Sequence, residues 1–106
     1  MEEIIKGIQR LAVEELARAN EQHPLFASDH EAYAVVLEEL EETKHEVEAM
    51  DAWLDMFKKS VFNDFEDNKD MMIRKVRSAA VLCAAEAVQV IAMCDKRMMS
   101  KIDKNV

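Results

Sequence analysis

The sequence predicts an all-α fold, in which a long antiparallel helical hairpin follows an N-terminal helix. The 106 residues include one Gly and one Pro, so the tight turns that join strands are scarce. Half of the residues are hydrophobic and 34% are charged, a balance typical of a globular chain and not of a disordered one. The length suits a single domain over residues 1–106.

The first helix is predicted from residue 3 to residue 21. Its apolar residues recur at spacings of three and four, which places them on one helix face: Ile4, Ile5, Ile8, Leu11, Ala12, Leu16 and Ala19. The helix should end between Asn20 and His23, because the residue before Pro24 disfavours the helical conformation.

The second and third helices form the predicted hairpin. Ser28 and Glu31 fit a capping box, which begins a helix from residue 29 to residue 59. Asn63 to Asn68 mark the turn, and Asp67 or Asn68 can cap a third helix from residue 69 to residue 102, after which the tail should fray. The second helix carries an apolar stripe with the seam spacing of a helical bundle: Val36, Leu40, Val47, Met50, Leu54, Phe57 and Val61.

The middle of the third helix, residues 79–94, is apolar on all sides apart from Glu86 and Gln89. Such a helix must be covered all round, and two other helices of a short chain can hardly do so. The sequence therefore predicts that a second copy completes the bundle, in a homodimer or a larger assembly. The run is too short and too interrupted to suit a membrane span, so no membrane partner is expected.

Charge and cysteine content narrow the function classes further. The net charge of −8 argues against binding to a nucleic-acid backbone. The N-terminal sequence lacks the basic start of a signal peptide. Cys83 and Cys94 are roughly 16 Å apart on one predicted helix, too far for a disulfide, which indicates reduced thiols in a cytoplasmic protein.

Two acidic motifs, one on each hairpin helix, are the strongest functional signal. Position 64 lies midway between Glu42 and Glu86, and also midway between Glu39 and Gln89. A hairpin that turns near position 64 therefore brings both pairs to one level, and the i, i+3 spacing within each pair puts its members on one face. Three carboxylates and an amide are ligands that suit a hard cation, Mg²⁺ or Mn²⁺.

The pattern Glu38-Glu39-x-x-Glu42, followed by Glu86-x-x-Gln89, resembles the all-α nucleoside triphosphate pyrophosphatases of the MazG and dimeric dUTPase superfamily. That family has EExxE and then ExxD on the next helix, and the resemblance covers roughly residues 28–98. It implies a helical dimer or tetramer that hydrolyses nucleoside triphosphates to monophosphates and pyrophosphate with Mg²⁺.

The resemblance also implies residue roles. Glu39, Glu42 and Glu86 would be metal ligands, and Glu38 would support the site or position the attacking water. Gln89 stands where the family has Asp, as a ligand without charge. Glu46, one turn beyond Glu42, is a candidate for the missing carboxylate.

Other interpretations of the same residues stay open. The run from Glu38 to Glu48 also fits a solvated helix face. Glu86 could form a buried ion pair with Lys44, and Gln89 could make an interhelix hydrogen bond. The protein would then be a non-catalytic helical oligomer that serves assembly or partner binding. Candidates for the site periphery are His45 at the rim and Lys96 or Arg97 as phosphate contacts.

Overall fold

The computed structural model describes residues 1–23, 25–63 and 68–102. These residues form helices α1 (Glu2–Gln22), α2 (Asp29–Phe62) and α3 (Lys69–Met99), and none of them lies in a strand. The all-α prediction is therefore confirmed. The expectations for Pro24, Asp64, Asp67 and the tail from residue 103 onward fall outside the described residues.

The helix ends follow the local signals closely. After α1, His23 adopts an extended conformation, as a residue before proline prefers. At the start of α2, the Glu31 amide donates to Ser28 Oγ at 3.1 Å. The Glu31 carboxylate accepts from the Ala27 amide at 3.2 Å, one residue before the position that a capping box uses.

Both hairpin helices end three residues away from the predicted positions. α2 continues past Lys59 to Phe62, and the side-chain amide of Asn63 caps it by donating to the Lys59 carbonyl at 2.8 Å. α3 stops at Met99, because Ser100 turns back on the helix. The Ser100 amide donates to the Arg97 carbonyl at 3.1 Å, and its hydroxyl donates to the Lys96 carbonyl at 2.7 Å.

The chain divides into two compact units. The first unit comprises Met1–Leu40 with Glu86–Val106, and the second comprises Glu41–Ala85. The first unit therefore contains all of α1, the start of α2 and the end of α3. The second contains the remaining segments of α2 and α3. The single domain over residues 1–106 stays a prediction.

The core of the first unit is a cluster formed by Phe26, Ala32, Ala92 and Met93. Leu16 and Ala19 of α1 pack against it, together with Val35 and Val36 of α2. The apolar stripe of α1 is thus only partly used in packing. Its N-terminal members stay about half exposed: Ile4, Ile5 and Leu11.

The second unit is an antiparallel helical hairpin with few buried side chains. Its contacts pair Thr43 with Cys83, Trp53 with Lys75, and Ser60 with Met72. Each pair is centred within about two residues of position 64, as the predicted hairpin requires. Among the described residues of this unit, the buried ones are Ser60, Met72 and Ala79.

The N-terminal half of the apolar run of α3 is left largely exposed by the described part of the chain. Val81 is 55% exposed and Leu82 is 51% exposed. The physical basis for predicting a second copy is therefore present in the structure, and the oligomer itself stays a prediction.

α3 also meets a length and hydropathy criterion for crossing a membrane. One stretch of 18 residues within it has a mean hydropathy of 1.6, and 22% of that stretch is buried. The whole helix is longer than the apolar run 79–94 that the sequence analysis considered. Core helices of soluble proteins pass the same criterion, so the finding by itself does not assign α3 to a membrane.

Candidate functional site

Three of the acids singled out in the sequence form a cluster. Carboxylate oxygens of Glu39, Glu42 and Glu86 lie within 4.8 Å of one another, close enough to serve as ligands of one cation. Glu39 and Glu86 are half-buried, whereas Glu42 is exposed. Oxygen ligands of this kind suit a hard divalent cation, and no softer ligand belongs to the cluster.

The other acidic candidates lie apart from this cluster. Glu38 precedes Glu39 on α2 and is exposed, and Glu46 is half-buried one turn beyond Glu42. Neither belongs to the group of carboxylates that lie within 4.8 Å of one another. Lys44 and His45 are exposed, and Lys44 forms no ion pair with a carboxylate among the residues that the structure describes.

Gln89 makes an interhelix hydrogen bond, which was the alternative prediction for this residue, and its partner lies on α1. Its Nε2 donates a hydrogen bond to Oε2 of Glu15 on α1, at 2.7 Å. Arg18, one turn further along α1, forms an ion pair with the same carboxylate. The hydrogen bond from Gln89 is the main reason that the pKa of Glu15 lies below its usual value. Arg18 lowers that pKa further, and desolvation opposes both effects.

A cleft of about 590 Å³ opens in the first unit. Glu15, Gln89 and Glu39 lie along its walls, so one member of the acidic cluster faces the cleft. Its apolar lining includes Phe26 and Met93 of the core. The volume is that of a small-molecule site, and apolar lining with a few polar groups is typical of such sites.

The cationic side of the cleft includes Lys96, which is 4% exposed. Its ammonium group lies 5.0 Å from the centre of the Phe26 ring. The backbone amide of Phe26 donates to Ser100 Oγ at 3.0 Å, which ties that ring to the end of α3. Arg97, the neighbour of Lys96, instead forms an ion pair with Asp29 at the start of α2.

Glu15 belongs to neither of the two acidic motifs, although its position in the sequence indicates that it lies on a packed helix face. Glu15 stands three residues after Ala12 and four before Ala19, so it shares the packed face of α1. Lys96 likewise stands three residues after Met93 and four after Ala92, on the buried face of α3. A charged residue on a packed face indicates a specific partner, because burial without one is costly.

No protein-family profile matches the chain, and neither does any curated protein or solved structure.

Proposed function

We propose that the protein is a nucleoside triphosphate pyrophosphohydrolase that uses Mg²⁺ or Mn²⁺. The observation that supports the proposal most is the cluster of Glu39, Glu42 and Glu86, with Glu39 also facing a cleft of about 590 Å³. A cation could bind to the carboxylates of this cluster, and a substrate could bind next to it in the cleft. The type of reaction is proposed from the resemblance of the two acidic motifs to the MazG and dimeric dUTPase superfamily.

In this proposal the three carboxylates hold the cation. A bound Mg²⁺ would attract the phosphate oxygens of the substrate and lower the pKa of a coordinated water molecule. Gln89 donates through Nε2 to Glu15, which leaves its Oε1 as the atom that can face the cation. Glu38, which precedes Glu39 on α2 and is exposed, would support the site or position the attacking water.

The substrate would occupy the cleft, and the site would work in an assembly. The triphosphate chain would extend toward Glu39, and the rest of the nucleotide would lie over apolar lining such as Val35 and Met93. A second copy covers the exposed side chains of Val81 and Leu82. The protein acts in the cytoplasm, with neither nucleic acid nor a membrane as partner.

The test compares two Glu→Gln variants on the two hairpin helices. Millimolar Mg²⁺ should raise the melting temperature of the wild type, because a ligand that binds only the native state stabilises it. Glu86→Gln should abolish that rise and the release of pyrophosphate from a mixture of nucleoside triphosphates. Glu48→Gln changes an exposed residue of α2 and should leave both intact.

The stability of the Glu86→Gln variant without metal is an independent test of the metal site. Crowded carboxylates repel each other, so removing one charge from the cluster should stabilise the metal-free protein by about 1 kcal/mol. If Glu86 forms a buried ion pair, the same change should destabilise it by about 3–5 kcal/mol. Denaturant unfolding in the presence of a chelator measures the sign, and a destabilisation would count against the metal site.

A non-catalytic helical oligomer is the competing proposal, and the engagement of Gln89 with Glu15 favours it. Gln89→Asp separates the two. In a metal site, the added charge should tighten Mg²⁺ binding while the carboxylate beside Glu15 weakens the metal-free fold. In a structural protein, only the weakening should occur. Calorimetric titration with Mg²⁺ distinguishes them, and Glu15→Gln combined with Gln89→Asp should relieve the repulsion in either case.

A further inference from the structure

We propose that Lys96 is the binding group for the phosphate chain of the ligand and that it works without a metal ion. The inference rests on the proposed function for the identity of the nucleotide, while the binding of the phosphate chain itself is tested separately. Its starting point is a buried lysine that faces a cleft and has no acidic partner among the described residues.

Lys96 is unusual among the lysines of the described residues because its side chain is buried. The residue is 4% exposed and lines the cleft. Its ammonium group makes a cation–π contact with Phe26 at 5.0 Å. Among the described residues it takes part in no ion pair and donates no side-chain hydrogen bond. A ring face attracts the cation but accepts none of its three N–H donors in the way that an oxygen would.

The acids of the cleft are engaged elsewhere. Glu15 binds Gln89 and Arg18. Glu31 accepts the amide of Ala27 at the start of α2. Glu39 belongs to the acidic cluster. The Lys96 side chain is buried along its length and lines the cleft, so an anion that enters the cleft from outside can pair with its ammonium group.

The cleft provides both the place and the specificity for that anion. The carboxylates of Glu15, Glu31 and Glu39 would repel a ligand that is anionic along its whole length. A ligand with a compact anionic end suits the cleft better, with that end at Lys96 and its uncharged part against the remaining apolar lining, which includes Val35 and Met93. A nucleotide has this distribution of charge, and a pyrophosphate ion represents its anionic end.

The experiment measures pyrophosphate binding by calorimetry in the presence of a chelator, at constant ionic strength. The wild type should bind, and Lys96→Met should bind roughly 10- to 100-fold more weakly, because it keeps the length of the side chain and removes the charged donors. Lys101→Met is the matched control, since Lys101 is an exposed lysine five residues further on. It should bind as the wild type does.

Lys96→Arg keeps the positive charge and should retain measurable binding if Lys96→Met proves unfolded. Absence of pyrophosphate binding by the wild type would overturn the inference, and so would equal binding by a folded Lys96→Met. Metal-free binding together with an absence of hydrolysis would uphold this site and reject the proposed function. Mg²⁺-dependent hydrolysis that Lys96→Met leaves unchanged in KM would support the function and reject this site.

Discussion

The two compact units are built from the same two helices, yet they differ in what they bury. In the first unit, α1 adds a third helix, and the described buried residues include Phe26, Ala92 and Met93. In the second unit, two helix segments bury Ser60, Met72 and Ala79 among the described residues. In this protein the core and the cleft form where a third helix packs against the hairpin, because two helices alone leave most of the surface of each helix in solvent.

The difference extends to polar groups. Ser100 in the first unit accepts from the Phe26 amide and donates to the Lys96 carbonyl. Within the described residues, the Ser60 hydroxyl of the second unit donates to the sulfur of Met72, at 3.6 Å. The Ser100 hydroxyl thus makes two hydrogen bonds to oxygen and nitrogen partners in the first unit, whereas the Ser60 hydroxyl makes a weak contact with sulfur in the second.

The largest expected effect concerns the exposed apolar surface of the second unit. The wild type should sediment as an oligomer with no folded monomer at micromolar concentration, because an obligate assembly completes its core between copies. The double change Val81→Glu with Leu82→Glu should abolish the assembly, and with it most of the helical circular dichroism signal. Val13→Glu, on an exposed position of α1, serves as the control. A stable wild-type monomer would contradict the prediction.

Two phenylalanines compare packing in the two units directly. Phe26 is 4% exposed in the first unit, and Phe62 is 78% exposed in the second. Phe26→Ala should lower the free energy of unfolding by about 3–5 kcal/mol, since it leaves a cavity in the core and removes the cation–π contact with Lys96. Phe62→Ala should change it by less than about 1 kcal/mol. Urea unfolding measures both, and equal losses would remove the contrast between the units.

Two buried serines compare polar contacts in the same way. Ser100→Ala should cost about 1–2 kcal/mol, because it leaves the buried amide of Phe26 without its acceptor. Ser60→Ala should be neutral within about 0.5 kcal/mol, since a hydroxyl–sulfur contact is weak. Both variants lose the same hydroxyl group. Any difference between their free energies of unfolding in urea therefore comes from the surroundings of the two serines. A Ser60→Ala loss as large as that of Ser100→Ala would show that the second unit depends equally on its polar contact.

The smallest expected effect is the pH dependence that comes from Glu15. Its pKa is lower in the folded protein than the ordinary value of 4.5, chiefly because Gln89 donates to the carboxylate. Glu15 therefore contributes stability above pH 4.5, and this contribution is lost as the pH falls through its folded pKa. The stability advantage of the wild type over Glu15→Gln should shrink on acidification below pH 4.5.

Gln89→Met provides the check on the cause of that pH dependence. It removes the donor that lowers the pKa of Glu15, so the acid-induced loss should become smaller and be complete at a pH closer to 4.5. Glu14→Gln, next to Glu15 on α1 but exposed, is the control for the charge change. Urea unfolding at a series of pH values measures all four proteins, and an unchanged profile in Gln89→Met would contradict the assigned cause.

Much of the secondary structure could be predicted from local signals alone. The capping residues Ser28 and Glu31 set the start of α2 at the predicted residue. α3 begins at Lys69 as predicted, and the midpoint near position 64 agrees with the observed hairpin pairs. These features depend on neighbours in the chain or on one simple antiparallel turn. The predicted C-terminal ends of α2 and α3 were wrong by three residues. At these ends Asn63 and Ser100 make side-chain hydrogen bonds to carbonyls four residues earlier.

The sequence by itself determined the three helices, the hairpin and the meeting of Glu39, Glu42 and Glu86, because helical periodicity and equal distance from a turn are properties of the chain order. Only the tertiary structure decided that α1 brings Glu15 to Gln89, residues 74 positions apart. It also decided that Lys96 lies under Phe26 beside a cleft. Such contacts depend on which faces of three helices pack together, and no local pattern specifies that choice.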